Sequence, residues 1–293
     1  MTPHQMPGPP GTLDRKPTDD EIDVFGLTHT GKVRPDNQDH FLICALRRQI
    51  VVYTTSLPDT EHLMAGPERL AFLAMVADGV GGGAKGEEAS RLALEAVTQY
   101  VSGTMRCYYA TGTDDAEFSE SLQEGALRCH AELRQRGEAD PEYRGMATTL
   151  TLFLGVWPKA YLLQVGDSRC YLYRNGELSQ ITRDQTMAQE LIDLGVLTRA
   201  DAAGSRFART LSSSIGGRQT DPVVSRLDMA WGTVLMLCSD GLTAHVPDDR
   251  IKERLRSMTS ARQVCEDLLG EALEAGGTDN ITIIVGRALP RDG

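Results

Sequence analysis

With 293 residues, 31.9 kDa, 41% hydrophobic and 24% charged residues, the chain has the size and make-up of one large or two small folded domains, which excludes disorder over most of its length. Thirty basic against 41 acidic residues give a net charge of −11, which opposes nonspecific binding to nucleic acid or to an anionic membrane. No window approaches the roughly 18 apolar residues of a spanning helix, and five prolines fall within the first 17 residues, where a signal peptide needs an apolar stretch. The six cysteines are dispersed without a C-x-x-C pair, so they read as reduced core residues and not as a zinc knot or disulfide scaffold. A soluble, cytoplasmic protein is the expectation.

In chain order, residues 1–22 are rich in Pro, Gly and charge without an apolar period, and read as a disordered tail before a single domain over 23–293. Short runs of β-branched and large apolar residues predict strands from Phe25, over Phe41–Leu46, over Gln49–Thr54 and over Leu70–Ala77, with a loop at Ser56–Glu68. After a glycine cluster, Ala89, Leu92, Ala96 and Tyr100 recur at helical spacing, and so do Phe118, Leu122, Ala126, Cys129 and Leu133. Ala147–Val156, Ala160–Val165 and Arg169–Arg174 predict three strands, the last turning at Asn175-Gly176 into a hairpin with Leu178–Ile181. A helix at Met187–Leu194 opens an irregular excursion over 185–222. Strands at Val223–Leu227 and Thr233–Cys238, helices near Asp248–Met258 and Ala261–Ala275, and a last strand at Ile281–Arg287 complete the chain. Strands and helices come in clusters and not in βαβ alternation, which predicts an α+β domain of antiparallel sheets covered by helix pairs.

Three of the predicted strands run into an aspartate: Leu70–Ala77 into Asp78-Gly79, Tyr161–Val165 into Gly166-Asp167, and Val234–Cys238 into Ser239-Asp240-Gly241. Asp279 lies just before the last strand and Asp39 just before the strand at Phe41. Any one Asp-Gly is an ordinary turn signal. Several carboxylates meeting at one edge of buried sheets concentrate charge that must be paired, and divalent cations pair it. Hard oxygen donors without clustered His or Cys favour Mg²⁺ or Mn²⁺ over Zn²⁺. If they face one another, Asp39, Asp78, Asp240 and Asp279 balance two such ions, which can lower the pKa of a bridging water until it supplies hydroxide to a phosphate ester. Arg34 is then the natural clamp for phosphate oxygens. A rival reading takes Gly79, Gly81 and Ala84 as a loose G-x-G-x-x-A dinucleotide loop of a nucleotide-binding oxidoreductase, but no parallel strand carrying an acidic residue follows. A Walker loop fails because Lys85 is followed by Gly86. In the metal reading, Gly79 offers its carbonyl as a ligand.

Six ordered segments, Arg34–Asp39, Val76–Gly82, Gly145–Leu150, Val165–Arg169, Cys238–Leu242 and Thr278–Thr282, together resemble the motifs of the Mg²⁺/Mn²⁺-dependent protein phosphatases, the PPM or type 2C family, over about residues 23–288. The resemblance implies a four-layer α/β/β/α sandwich that hydrolyses phosphoserine and phosphothreonine in proteins, as a monomer, on substrates of a Ser/Thr kinase. It implies that Asp78 bridges both metals, that Gly79 adds its carbonyl, that Asp39 serves one ion and Asp240 and Asp279 the other, and that Arg34 binds phosphate. Asp167 resembles the ligand of a third, weaker metal, and 185–222 the flap of bacterial members. Three departures accompany the match. Gln38 replaces the usual Glu, which is expected to weaken a metal contact; Val80 and Gly83 occupy the places of a general-acid histidine; and Ala244 replaces a second carboxylate at the third site, which is expected to fill poorly. A pseudophosphatase binding module is the alternative these departures allow. The histidines, Arg169 and Arg183 are expected to be structural.

Overall fold

A computed structural model of the chain describes residues 15–49, 54, 68–111, 114–202 and 205–290, with the side chains of 106–111 excepted. The first part of the chain forms β1 (Ile22–His29), β2 (Asp39–Arg48), β3 (Glu68–Val80), α1 (Ala84–Thr111), α2 (Asp115–Ala139), β4 (Ala147–Thr148), β5 (Leu150–Val156), β6 (Lys159–Val165), β7 (Arg169–Arg174) and β8 (Glu177–Gln180). Beyond these lie α3 (Met187–Asp193), α4 (Arg199–Ala202), β9 (Val223–Asp228), β10 (Val234–Cys238), α5 (Asp240–Thr243), α6 (Asp248–Arg256), α7 (Ala261–Glu274) and β11 (Ile281–Ala288).

The strands make two sheets, ordered β1-β11-β10-β7-β8 and β2-β3-β5-β6-β9, with β4 paired to the end of β3. Every strand pair is antiparallel. The glycine loop after β3 therefore lacks the parallel βαβ setting of a dinucleotide site, and the oxidoreductase reading falls on topology.

Side-chain alternation fixes the layers. From β3, Leu73, Met75 and Ala77 join the core beneath α1 and α2, while Ala74 and Val76 face the other sheet. From β10, Met236 and Cys238 join the core beneath α6 and α7, while Leu235 and Leu237 point back at Val76 and its neighbours. Both faces of each central strand are thus buried, which gives the expected four-layer α/β/β/α arrangement. The Asn175-Gly176 hairpin forms as predicted, with φ of 53° and 84° at the two turn residues.

Several expectations shift. The predicted strand Ala147–Val156 divides at Thr149 into β4 and β5. The stripe predicted for the second helix is buried throughout, whereas on α1 the deepest residues are Ala89, Ala93, Val97, Val101 and Met105, a face rotated from the predicted Leu92, Ala96 and Tyr100. Small and β-branched residues occupy the deep face of α1 because it lies close against β3, so size misleads a count of large apolar side chains. Of the expected 1–22 tail, residues 1–14 lie outside the described residues, but 15–21 are packed. Glu21 is buried, accepts from Thr18 N and Oγ1 at 2.9 and 2.8 Å, and pairs with Arg15, while Asp19 pairs with Arg47 and Arg69. The predicted strand Gln49–Thr54 and the loop Ser56–Glu68 fall almost wholly outside the described residues. Among the described residues no helix is long and apolar enough to cross a membrane, and no disulfide forms.

Candidate metal centre

The topology brings the predicted aspartates to one end of the sandwich. Asp39, first residue of β2, stands opposite Asp78 near the end of β3. On the other sheet Cys238 pairs with Ile283, and Ser239 N donates to Thr282 O at 3.0 Å, so Asp240 and Asp279 leave β10 and enter β11 side by side. Gly241 permits this approach: a Cβ there would lie 2.0 Å from the carbonyl oxygen of Asn280.

Asp39 joins the two sheets. Its Oδ2 accepts from Ser239 Oγ and from Thr282 Oγ1, each at 2.7 Å, and both hydroxyl residues are fully buried. Its Oδ1 is buried with no partner. Asp78 is held through its backbone, where its N–H donates to Thr149 Oγ1 at 3.0 Å and its C=O accepts from Thr149 N and Thr148 Oγ1 at 2.9 Å each. Thr149 Oγ1 also meets Ser168 Oγ at 2.8 Å, which ties the Gly166-Asp167 turn to the same rim.

Four carboxyls at this rim are raised, each chiefly because burial penalises its charged form. Asp39 is pushed up to about 7 by burial, against the pull of the Ser239 and Thr282 hydroxyls and with a further push from Asp240 and Asp279. Asp78 is raised well above the carboxylate range by burial and by the charges of Asp39, Asp240, Asp167 and Asp279. Asp240 is raised by burial and by Asp279, opposed by Asp78, Arg209 and Arg34, and Asp167 is raised by burial and then by Asp240 and Asp184. The predicted residues therefore share one electrostatic neighbourhood.

Arg34 stands at the rim, where its Nε and Nη2 donate to the two oxygens of Asp279 at 2.8 and 2.7 Å. Among the described residues no three His, Cys, Asp or Glu side chains close around one point: the acids gather as charge and not as a finished cage. The residues nevertheless fit hard divalent ions. The donors are all oxygen, Arg34 pairs with Asp279 alone of the five acids, and the orphaned Asp39 Oδ1 needs a partner.

Gln38 takes an unexpected place. With its amide oriented by its neighbours, the nitrogen donates to Gly79 O at 3.1 Å and the oxygen accepts from Gly83 N at 2.8 Å. Sequence reasoning also passed over Ser239 and Asn280, each beside a singled-out aspartate, and Thr282, a polar residue that interrupts the apolar run of the last strand three positions after Asp279; that placement was the available signal. Arg209, whose charge reaches Asp240 from the 185–222 segment, carried no such signal. Arg169 and Arg183 are ion-paired with Asp184 and Asp193 as expected. His130 accepts from Gly216 N and His245 from Thr278 N, while His62 lies outside the described residues.

A family model described as protein phosphatase 2C matches residues 59–275, which takes in Asp78, Gly79, Asp167 and Asp240 and stops short of Arg34, Asp39 and Asp279. The chain is 33% identical over 225 residues to the serine/threonine protein phosphatase PstP of Mycobacterium tuberculosis, covering 76% of this chain but only 41% of that protein. It is 30% identical over 267 residues to the protein phosphatase PhpP of Streptococcus pneumoniae, covering 89% of this chain and 96% of the relative. Its fold superposes on the catalytic domain of PstP in complex with two manganese ions with a TM-score of 0.69 at 28% identity, over 92% of this chain and 99% of that one. Six ordered motifs, the layered sandwich, the acidic rim and these matches agree: the chain belongs to the protein phosphatase 2C family.

Proposed function

We propose that the chain is a metal-dependent protein phosphatase that hydrolyses phosphoserine and phosphothreonine in proteins, the products of a Ser/Thr kinase. The carrying observation is the convergence of Asp39, Asp78, Asp240 and Asp279 from two sheets into one charged rim beside Arg34. In this reading Asp78 would serve both of two Mn²⁺ or Mg²⁺ ions, the Gly79 carbonyl and Asp39 would help hold one, and Asp240 and Asp279 the other. Asp167 would serve a third ion, which Ala244 leaves one carboxylate short. When bound, such ions supply a water acidic enough to be a nucleophile near neutral pH and a Lewis acid for phosphoryl oxygens.

The chain's own residues supply the rest. Ser239 and Thr282 hold one oxygen of Asp39, leaving Oδ1 as its free donor atom. Arg34, half-exposed and planar, turns its fork from Asp279 to two oxygens of the phosphate and orients the ester for in-line attack. Val80 and Gly83 offer no proton, so solvent protonates the departing alkoxide, and alkyl phosphoesters turn over more slowly than activated aryl phosphates. Arg209, exposed and within electrostatic reach of Asp240, gives the approach to the rim a positive element that suits a phosphorylated segment.

Hydrolysis of an aryl phosphate and of a phosphothreonine peptide, with Mn²⁺, with chelator and in Asp240→Asn, tests the reading. Activity that requires Mn²⁺ and is lost in the variant supports it, and hydrolysis indifferent to both refutes it.

A further inference from the structure

Gln38, next to Asp39, touches two further segments that bear proposed ligands. Its backbone N–H donates to Asn280 Oδ1 at 2.9 Å, next to Asp279. Its C=O accepts from Gly79 N at 3.2 Å and from Ser90 Oγ at 2.6 Å, which links β3 and α1. Its side-chain amide reaches Gly79 O and Gly83 N. The amide packs directly on α1, since a Cβ on Gly86 would lie 2.1 Å from one of its terminal atoms.

The loop it grips has little else to fix it. Gly81, Gly82 and Gly83 all have positive φ, at 129°, 73° and 57°, and a Cβ on Gly82 or Gly83 would meet nothing within 4 Å. Three consecutive glycines lose much conformational entropy on ordering, and neither Gly82 nor Gly83 has a packed side chain to offset it. The Gln38 amide bonds both ends of this loop.

We propose that Gln38 is a positioning residue that aims the Gly79 carbonyl, and that it is not a weakened stand-in for glutamate. A carbonyl oxygen has two lone pairs; the Gln38 N–H engages one and fixes the direction of the other. An ionised glutamate at 38 could still accept from Gly83 N but would set a negative oxygen against Gly79 O, with no proton between them. The inference rests on the proposed metal reading, and it reverses the expectation that Gln38 costs metal affinity.

Calorimetric titration of Mn²⁺ into chelator-stripped wild type, Gln38→Glu and Gln38→Met, with thermal melts of each stripped protein, tests it. Both variants should bind Mn²⁺ about tenfold more weakly or worse, with the melting temperature of Gln38→Met within a few degrees of wild type. Gln38→Glu binding as tightly as wild type or more tightly, or Gln38→Met binding unchanged, overturns the proposal. A lowered melting temperature with unchanged affinity marks a purely structural role and overturns it too. Should Gln38→Glu fail to fold, Gln38→Met decides. A wild type that binds no Mn²⁺ at all sinks the metal reading itself, an outcome distinct from any difference among the variants.

Discussion

Asp39 and Asp78 face each other as register partners across β2 and β3, two acids placed opposite at the charged end of a buried sheet. Like charges directly opposite on a sheet destabilise it, and here burial adds to the repulsion. Asp78→Asn relieves both effects. In chelator it should raise stability by about 1–3 kcal/mol, seen as a melting temperature higher by roughly 2–8 °C, while phosphatase activity falls at least ~100-fold. A variant both less stable in chelator and fully active would contradict this trade between stability and function.

The same burial sets a pH dependence. A carboxyl whose folded pKa is raised binds its proton more tightly in the folded than in the unfolded protein, so its contribution favours folding at low pH and is lost as pH rises towards the folded value. For Asp39 the loss runs from about 4, its ordinary value, to about 7, and Asp78, Asp167 and Asp240 act in the same direction. Chelated protein should therefore lose on the order of 3 kcal/mol through Asp39 alone between pH 5 and pH 8, with the other three adding to the loss. Denaturant titrations at the two pH values, compared with Asp39→Asn, measure it; the variant should show the smaller loss.

Ser239 and Thr282 favour the charged form of Asp39 by donating to it. Ser239→Ala should push the Asp39 pKa higher still. Its cost to stability, about 1–3 kcal/mol, should be larger at pH 8, where the lost donor served a charge, than at pH 5, where Asp39 is protonated in both proteins. An equal cost at the two pH values would show that the hydroxyl serves packing alone.

Arg34 and Asp279 form a bidentate pair with 54% and 33% of their side chains exposed, so the pair contributes at most about 1 kcal/mol to stability. Arg34→Ala should melt within a few degrees of wild type yet lose roughly 100-fold or more in kcat/KM for a phosphothreonine peptide. Arg34→Lys should recover only part of that, because an ammonium cannot grip two phosphate oxygens as a fork does. Full recovery by lysine would point to charge alone.

Much of this was legible in the sequence, for identifiable reasons. The strands announced themselves because β3, β5, β6, β10 and β11 are buried on both faces and so consist almost wholly of apolar residues, and the acids stood out against them. The Asn175-Gly176 turn was readable because its positive φ angles select those residues. What escaped depends on contacts distant in sequence. Ser239 and Thr282 owe their role to a carboxylate 200 and 243 positions earlier, and no local pattern foretells that β2 begins where β10 ends. The packing of residues 15–21 rests on ion pairs of Asp19 with Arg47 and Arg69, which composition alone presents as solvated charge. Gln38 looked like a defect because the residue type was compared with the expected glutamate before its neighbours Gly79 and Gly83 were known.

Anomalous diffraction from crystals grown with Mn²⁺ reaches the central claim most directly. Two strong peaks should lie among Asp39, Asp78, Asp240 and Asp279, within coordination distance of Asp39 Oδ1 and Gly79 O, with the Arg34 fork released from Asp279. A fully formed acidic rim without manganese, at metal concentrations that sustain hydrolysis, would contradict the account.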